Sequence, residues 1–429
     1  MAERRSAQKK ASENGEHEPG AAKADLVIAG GGYVGLCIAL SVKQAAPHLK
    51  IAVIDAIPAE AIENDTRASA IAAAAVRMLE AIGIWSEVEA DTQPINEMIV
   101  TDSRLNDVAR PVFLTFANDV VPGAAPSGPF AHMLPNRSLI KALRRASLAL
   151  GVELINGDSI SGFKNTGSGV EVQSRSGKVW HARLLVAADG VRSKLRELAG
   201  IRTIHWPYDQ MGIVVTVCHE RPHEGRAEEH FLPAGPFAIL PLPGNRSSLV
   251  WTECTADAKR LVECDALTFD LELERRFGHK LGAISVEGER KAFPLGLTLA
   301  RDYVRERFVL AGDAAHGVHP IAGQGLNLGF KDAAALAETI VEADRLGLDF
   351  GLTSVLERYQ MWRRFETVQM GVTTDVLNRL FSNDNPILRI ARDVGLGAVD
   401  RMPGLKRYFI SQAAGNRPGL PRLLQGSAI

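Results

Sequence analysis

The sequence predicts an α/β protein: a parallel, doubly wound sheet, interrupted by antiparallel β-sheet insertions and followed by C-terminal helices. Three observations predict it. An apolar strand runs into a glycine-rich loop and then a helix over residues 25–46. Two later segments, "RLLVAADGVRSKLRELAGI" and "RFVLAGDAAHGVHPIAGQGLNLGFKDA", repeat the order strand, turn, helix. Between these units, "MGIVVTVCHE" and "FAILPLPGNRSSLVWTE" alternate apolar and polar residues. A period of two marks strands with one buried face.

Composition sets the frame. The chain has 429 residues, long enough for two or three packed units. It is 46% hydrophobic and 23% charged, with a net charge of -1, which excludes a nucleic-acid footprint. Four cysteines (Cys37, Cys218, Cys254, Cys264) are scattered without a CxxC pair, as expected of reduced intracellular thiols. Residues 1–23 are polar, lack an apolar signal core and read as a disordered tail. No apolar run reaches the ~18 residues that span a bilayer, so the expected location is cytoplasmic, with a peripheral place at the inner membrane as its extension.

The first unit is the most informative. Strand residues 25–29 lead into Gly30-Gly31-Gly32-Tyr33-Val34-Gly35, a G-x-G-x-x-G in the strand-to-helix setting of a Rossmann-like dinucleotide site. The first glycine permits the turn, the second lets a pyrophosphate reach the backbone, and the third lets helix pack on strand. The helix N-terminus then offers N–H groups to phosphate. The next strand ends at Asp55, where a carboxylate accepts hydrogen bonds from ribose hydroxyls. The loop alone does not separate FAD from NAD.

The remaining anchors follow in order. Arg67 comes after the second strand and before a helix, within reach of a pyrophosphate; read alone it is a solvated arginine. Arg137 opens another helix, where a cation opposes the dipole and suggests an anionic or polar partner. Asp189-Gly190 is a turn after a strand. Gly312-Asp313 closes the strand of residues 308–311, and an acid there points into the crevice of such a sheet. His316 and His319 invite a metal reading. No third ligand cluster stands nearby, and Gly317 and Pro320 break any helix that could present both, so no metal is expected.

These residues carry a resemblance. The stretches GGGYVG (30–35), ADGVRS (188–193) and AGDAAHGVHPIAGQGLNLGFKDA (311–333) resemble those of flavin-dependent aromatic hydroxylases of the para-hydroxybenzoate hydroxylase fold. More closely, the chain resembles the ubiquinone-biosynthesis hydroxylases, whose signature is matched by Gly312, Asp313, Ala314, Ala315, His316, Pro320, Gly323, Gln324, Gly325, Asn327, Gly329 and Asp332. The segment 235–253 also resembles their substrate domain, and the likeness spans roughly residues 24–415.

The resemblance implies a site and a reaction. Gly30, Gly32, Tyr33, Val34 and Gly35 would hold the ADP half of FAD, Asp55 the adenosine ribose, and Arg67 and Arg137 the cofactor. That family more often has Glu where Asp55 stands. Asp189 and Gly190 would lie near the pyrophosphate, with Gly312 and Asp313 at the ribityl chain. Pro320, Gly323, Gln324, Gly325, Leu326 and Asn327 would lie beside the isoalloxazine ring. A helix starting near Gly325 would aim N–H groups at the ring edge that gains negative charge on reduction. The implied reaction hydroxylates the ring of a polyprenyl phenol through a flavin C4a-hydroperoxide, with O2 as co-substrate and NAD(P)H or a reductase as electron donor. No catalytic side chain is singled out: His205, Tyr208 and His230 read as packing or surface residues.

The expected organisation is an FAD-binding domain at 24–95, 132–205 and 290–345, a substrate-binding β-sheet domain at 96–131 and 206–289, and a helical region at 346–429 with breaks at Asn383–Pro386 and Pro403–Gly404. Apolar and basic residues mix in that region, which suits a membrane surface, a ubiquinone-biosynthesis complex, a homo-oligomer or the protein's own core. Alternatives are a catabolic soluble aromatic hydroxylase, a geranylgeranyl-type reductase, or a non-catalytic flavoprotein-like subunit of a biosynthetic assembly. Trp85, Trp180, Trp206, Trp251 and Trp362 form no halogenase-type W-x-W-x-I-P motif.

Overall fold

The computed structural model describes residues 22–63, 65–103, 105, 112–117, 128–382 and 419–429. The central layer is a six-stranded sheet. Leu26–Ala29 pairs in parallel with Ile51–Asp55 on one side and with Leu184–Ala187 on the other. Leu184–Ala187 in turn pairs with Phe308–Leu310, and Ile51–Asp55 with Glu153–Asn156, all parallel. Leu26, Val27, Ile28, Leu184, Leu185 and Val186 are all fully buried, as parallel strands covered on both faces must be. Four helices matter below: α1 (Tyr33–Ala45), α2 (Asn136–Ala149), α3 (Gln324–Arg345) and α4 (Thr353–Phe381). α1 and α3 pack together on the sheet, and Val34 seats directly beneath Gly312 and Gly329.

The second layer is an eight-stranded sheet whose long members are Thr203–His219 and Ile284–Ala300. Both overrun the expected 206–289 insertion. Their outer parts continue as one ribbon, from Thr203↔Ala300 to His219↔Ile284, that ties the two sheets together. The sheet is also not purely antiparallel. Glu97–Asp102 runs parallel to Arg226–Leu232, because it enters from the nucleotide-binding unit by a long connection and not through a hairpin.

Three further differences from the sequence reading are local. Ala22–Lys23 is not tail but a strand paired with Trp180 and His181. Arg67 precedes a short strand, Ala68–Ala72, before the helix begins at Ala73. α3 starts at Gln324, one residue before Gly325. Within the expected helical region 346–429 the described residues form α4 and the short 3-10 turn Arg422–Gln425; residues 383–418, with the breaks at Asn383–Pro386 and Pro403–Gly404, lie outside the described residues. Among the described residues no helix is long and apolar enough to cross a membrane.

Candidate active site

A cleft of about 540 Å³ opens between the two sheets. Its floor is built from loops. Gly32, Tyr33, Val34, Arg67, Gly190, Asp313, Pro320, Gly323, Gln324, Gly325, Leu326 and Asn327 all line it. The structure thus brings together residues that lie almost three hundred positions apart.

Backbone contact shapes the first loop. Gly30 has φ +106°, and a Cβ there would lie 2.2 Å from the Ala188 carbonyl oxygen. A Cβ on Gly35 would lie 2.0 Å from the Gly30 carbonyl oxygen. Neither position accepts a side chain. Gly32 differs: nothing lies within 4 Å of its Cβ position, so the space beside it is open to a ligand. The Gly31 N–H donates to Asp55 Oδ2 at 2.5 Å, and the Ile57 N–H to Oδ1 at 2.7 Å, which fixes the carboxylate at the end of its strand.

Side chains hold the second loop. Gly312 has φ +61°, and its N–H donates to Asp332 Oδ2 at 2.9 Å. The same oxygen meets His316 Nε2 at 2.5 Å, while Arg363 Nε donates to Oδ1 at 2.7 Å. Burial alone would raise the Asp332 carboxyl; the charges of His316 and Arg363 overcome that and hold it below its ordinary value. Arg363 also bonds Glu366, which pairs with Lys331, and the Tyr359 hydroxyl donates to the Leu310 carbonyl. Arg196 clamps the other side, donating to Ala314 O and Val191 O, which ties the chain after the Asp189-Gly190 turn to the Gly312 turn.

The individual residues take distinct places. Asp313 stands at the cleft wall, with its side chain open to the cleft. Burial pushes its carboxyl up; His316 and Arg67 pull it down, and Asp332 adds to the rise. Arg67 forms a two-pronged pair with Asp65, through Nε–Oδ1 at 2.9 Å and Nη2–Oδ2 at 2.8 Å, and lies over the Phe293 ring. Asn136 Nδ2 donates to the same Asp65, so it is Asn136 that faces the cleft; Arg137, one residue later, is exposed and does not line it. Asn327 spends both amide protons on Ala70 O and Gly323 O and accepts from the Ala72 N–H. It clasps the loop as well as lining the cleft. His319 is fully buried with neither ring nitrogen bonded, against the Tyr208 ring. Among the described residues no cluster of His, Cys, Asp or Glu could hold a metal ion.

FAD fits this floor. α1 and α3 are both preceded by glycine caps, Gly32 and Gly323, and neither has a capping side chain, so no side chain blocks a ligand from their N-terminal ends. Like Gly32, Gly325 has nothing within 4 Å of its Cβ position. The roof is different in kind: Met98, Ala227, Pro236, Ala238, Leu240 and Val250 make it apolar, with Glu229 and Thr252 as its polar members.

A doubly wound sheet with two ligand-ready helix starts under an apolar β-sheet defines an FAD-binding monooxygenase of the aromatic-hydroxylase fold. Comparison with known proteins agrees. The family described as FAD binding domain matches residues 23–360. The chain is 44% identical to ubiquinone hydroxylase UbiL of Rhodospirillum rubrum, over 94% of this chain and 93% of that one. It is 34% identical to 3-demethoxyubiquinol 3-hydroxylase of Escherichia coli, over 91% and 98%. Its fold is similar to that of p-nitrophenol 4-monooxygenase from Pseudomonas putida, with a TM-score of 0.76 at 19% identity, covering 92% of this chain and all of that one. The chain belongs to the ubiquinone-biosynthesis hydroxylase family of FAD-binding proteins.

Sequence reasoning did not single out Asp65, Asn136, Arg196, Tyr359 or Arg363 as parts of the site. Asp65 and Asn136 flank the two arginines that it did name, which was the available signal. Arg196, Tyr359 and Arg363 act through buried bonds to backbone or to Asp332, and nothing in their local sequence marks that.

Proposed function

We propose that this protein hydroxylates the aromatic ring of a polyprenyl phenol on the route to ubiquinone. The observation that carries the reading is the cleft itself, glycine loops on one wall and an apolar sheet on the other. Bound FAD supplies the oxygen-activating redox chemistry, with O2 as co-substrate and NAD(P)H, directly or through a reductase, as electron source. The chain's residues supply the setting. Gly323 and Gly325 let a flat ring approach the backbone, and Asp313 offers a carboxyl to the hydroxyls of a ribityl chain. The N–H groups at the start of α3 favour negative charge at the ring edge beside them. Met98, Leu240, Val250 and Pro236 keep water away from the reacting ring and offer a prenylated substrate an apolar surface. We place the reaction in the cytoplasm at the surface of the inner membrane, where a polyprenyl substrate resides, in contact with other enzymes of the route.

Purification tests the reading directly. The protein is expected to be yellow, and to convert a short-chain prenylphenol with NAD(P)H and air into a product one oxygen atom heavier by mass spectrometry. A colourless protein that FAD cannot reconstitute overturns the flavoenzyme reading. Hydroxylation of simple phenols but of no prenylphenol moves the assignment to a catabolic enzyme. Deleting the gene and profiling quinone intermediates tests the pathway, and normal quinone without accumulated phenol counts against it.

A further inference from the structure

The roof of the cleft is apolar except at Glu229 and Thr252, and the first of these is an acid. Glu229 is 4% exposed and lines the cleft from the strand Arg226–Leu232. The register sets it opposite Ala238 on one side and Val100 on the other, with Ala238 in turn opposite Val250. Residues paired in this way share a face of the sheet, so Glu229 stands on one surface with Ala238 and Val250, which also line the cleft. Ala227, two positions earlier, shares that face. Burying a carboxylate among alanines and valines is costly. A residue that breaks its surrounding pattern at such a cost is the mark of a functional position.

The charges in the cleft are unevenly placed. Among the described residues that line it, Arg67, Glu229 and Asp313 carry charge. Arg67 belongs to the floor and is engaged in its two-pronged pair with Asp65. No lysine, arginine or histidine among the described residues lines the roof.

We propose that Glu229 selects the substrate: its carboxylate accepts the hydrogen bond of a neutral phenol's hydroxyl group, and the site turns away rings that carry a carboxylate. The proposal rests on the hydroxylase reading above and adds which phenols enter. A carboxylate offers about four lone-pair directions, so bonds made within the protein leave capacity for a substrate hydroxyl. A ring carboxylate placed there would set acceptor against acceptor. Placed at the far end of a ring whose hydroxyl meets Glu229, it would fall on apolar wall with no cation to receive it. The small side chains of Ala227 and Ala238 leave room beside Glu229 for a flat ring. Met98, Leu240, Ile95 and Phe130 continue the apolar wall for a substituent.

The test uses the full FAD-loaded chain and calorimetric binding of three probes: methyl 4-hydroxybenzoate, its methyl ether, and 4-hydroxybenzoate. The wild type is expected to bind the hydroxy ester about tenfold or more tighter than either of the others, the fold-change of one hydrogen bond to a charged group. In Glu229→Gln the preference for the hydroxy ester over its methyl ether is expected to vanish, with flavin content and melting temperature kept. A wild type that binds the hydroxy ester and the methyl ether alike overturns the proposal, and this comparison needs no variant. So does a wild type that takes 4-hydroxybenzoate as tightly as the ester, or a Glu229→Gln that keeps the wild-type preference. Wild-type turnover of a prenylphenol is measured alongside. Its absence strikes the hydroxylase reading, whereas the order of probe affinities decides the role of Glu229, so the two failures are told apart.

Discussion

The two loops that make the floor of the cleft do the same job by different means. Gly30–Gly35 holds its shape because backbone meets backbone: Gly30 against Ala188, Gly35 against Gly30. Gly312–Asn327 holds its shape because side chains from outside the loop clamp it: Asp332 on Gly312 and His316, Arg363 on Asp332, Tyr359 on the strand before it. One loop is constrained by backbone packed against its own glycines, including the backbone of Ala188. The other draws its constraint from side chains on helices, from Asp332 to Arg196, the last 118 positions from its partner Ala314. The first should therefore fail sharply at a single atom, and the second by degrees as its supports are removed.

The largest effect is expected in the first loop. In Gly35→Ala the new methyl group would lie 2.0 Å from the Gly30 carbonyl oxygen, and both atoms belong to the strand–helix junction. No rotamer relieves the overlap, so the loop must open or α1 must lift from the sheet. The expected result is a protein without bound FAD, read as loss of flavin absorbance after gel filtration. Retention of wild-type flavin content would show that the junction is more yielding than its geometry implies, and would erase the contrast between the loops.

The second loop is broken through its supports. Asp332→Ala leaves His316 and Arg363 buried without their shared carboxylate and leaves the Gly312 N–H without its acceptor. Removing one partner of a buried charge network costs about 3–5 kcal/mol. A marked fall in melting temperature is expected, with FAD partly retained by the intact first loop. Asp55→Ala is the matched change there. Asp55 holds only two backbone N–H groups at a half-buried position, so it should weaken FAD binding while moving the melting temperature little. Equal melting temperatures for the two variants would sink the distinction.

The same contrast explains what the sequence could reveal. The glycine spacing 30-32-35, the strand before it and the acid at 55 are local, so the first loop was legible residue by residue. Asp313 and the Gly-Gln-Gly centre were legible as a cradle because only a close-approaching ligand asks for that density of small residues. The clamp was not legible: an arginine at 363, in the middle of a long helix, looks like a surface residue until tertiary contact places it beside Asp332. Arg137, which the sequence offered as a cofactor contact, is exposed at the start of α2, and it is Asn136 beside it that lines the cleft. The roof followed the alternation, but the parallel pairing of Glu97–Asp102 with Arg226–Leu232 depended on a connection that no local pattern encodes.

The two histidines sharpen the comparison at its finest scale. His316 is part of the clamp, whereas His319, three residues on, is buried with no partner on either nitrogen, and burial pushes its imidazole down to about 4. A folded-state value below the ordinary 6.5 means that the unfolded chain takes up this proton first as pH falls. The contribution of a neutral His319 is therefore complete above pH 6.5 and lost progressively as pH drops toward 4, by up to about 3 kcal/mol. His319→Leu should remove that loss. The expected outcome is a melting temperature near wild type at pH 8 and above wild type at pH 5, with flavin content unchanged at pH 8. An unaltered gap between pH 8 and pH 5 would mean that the acid sensitivity of the second loop lies in its clamp and not in the bare histidine beside it.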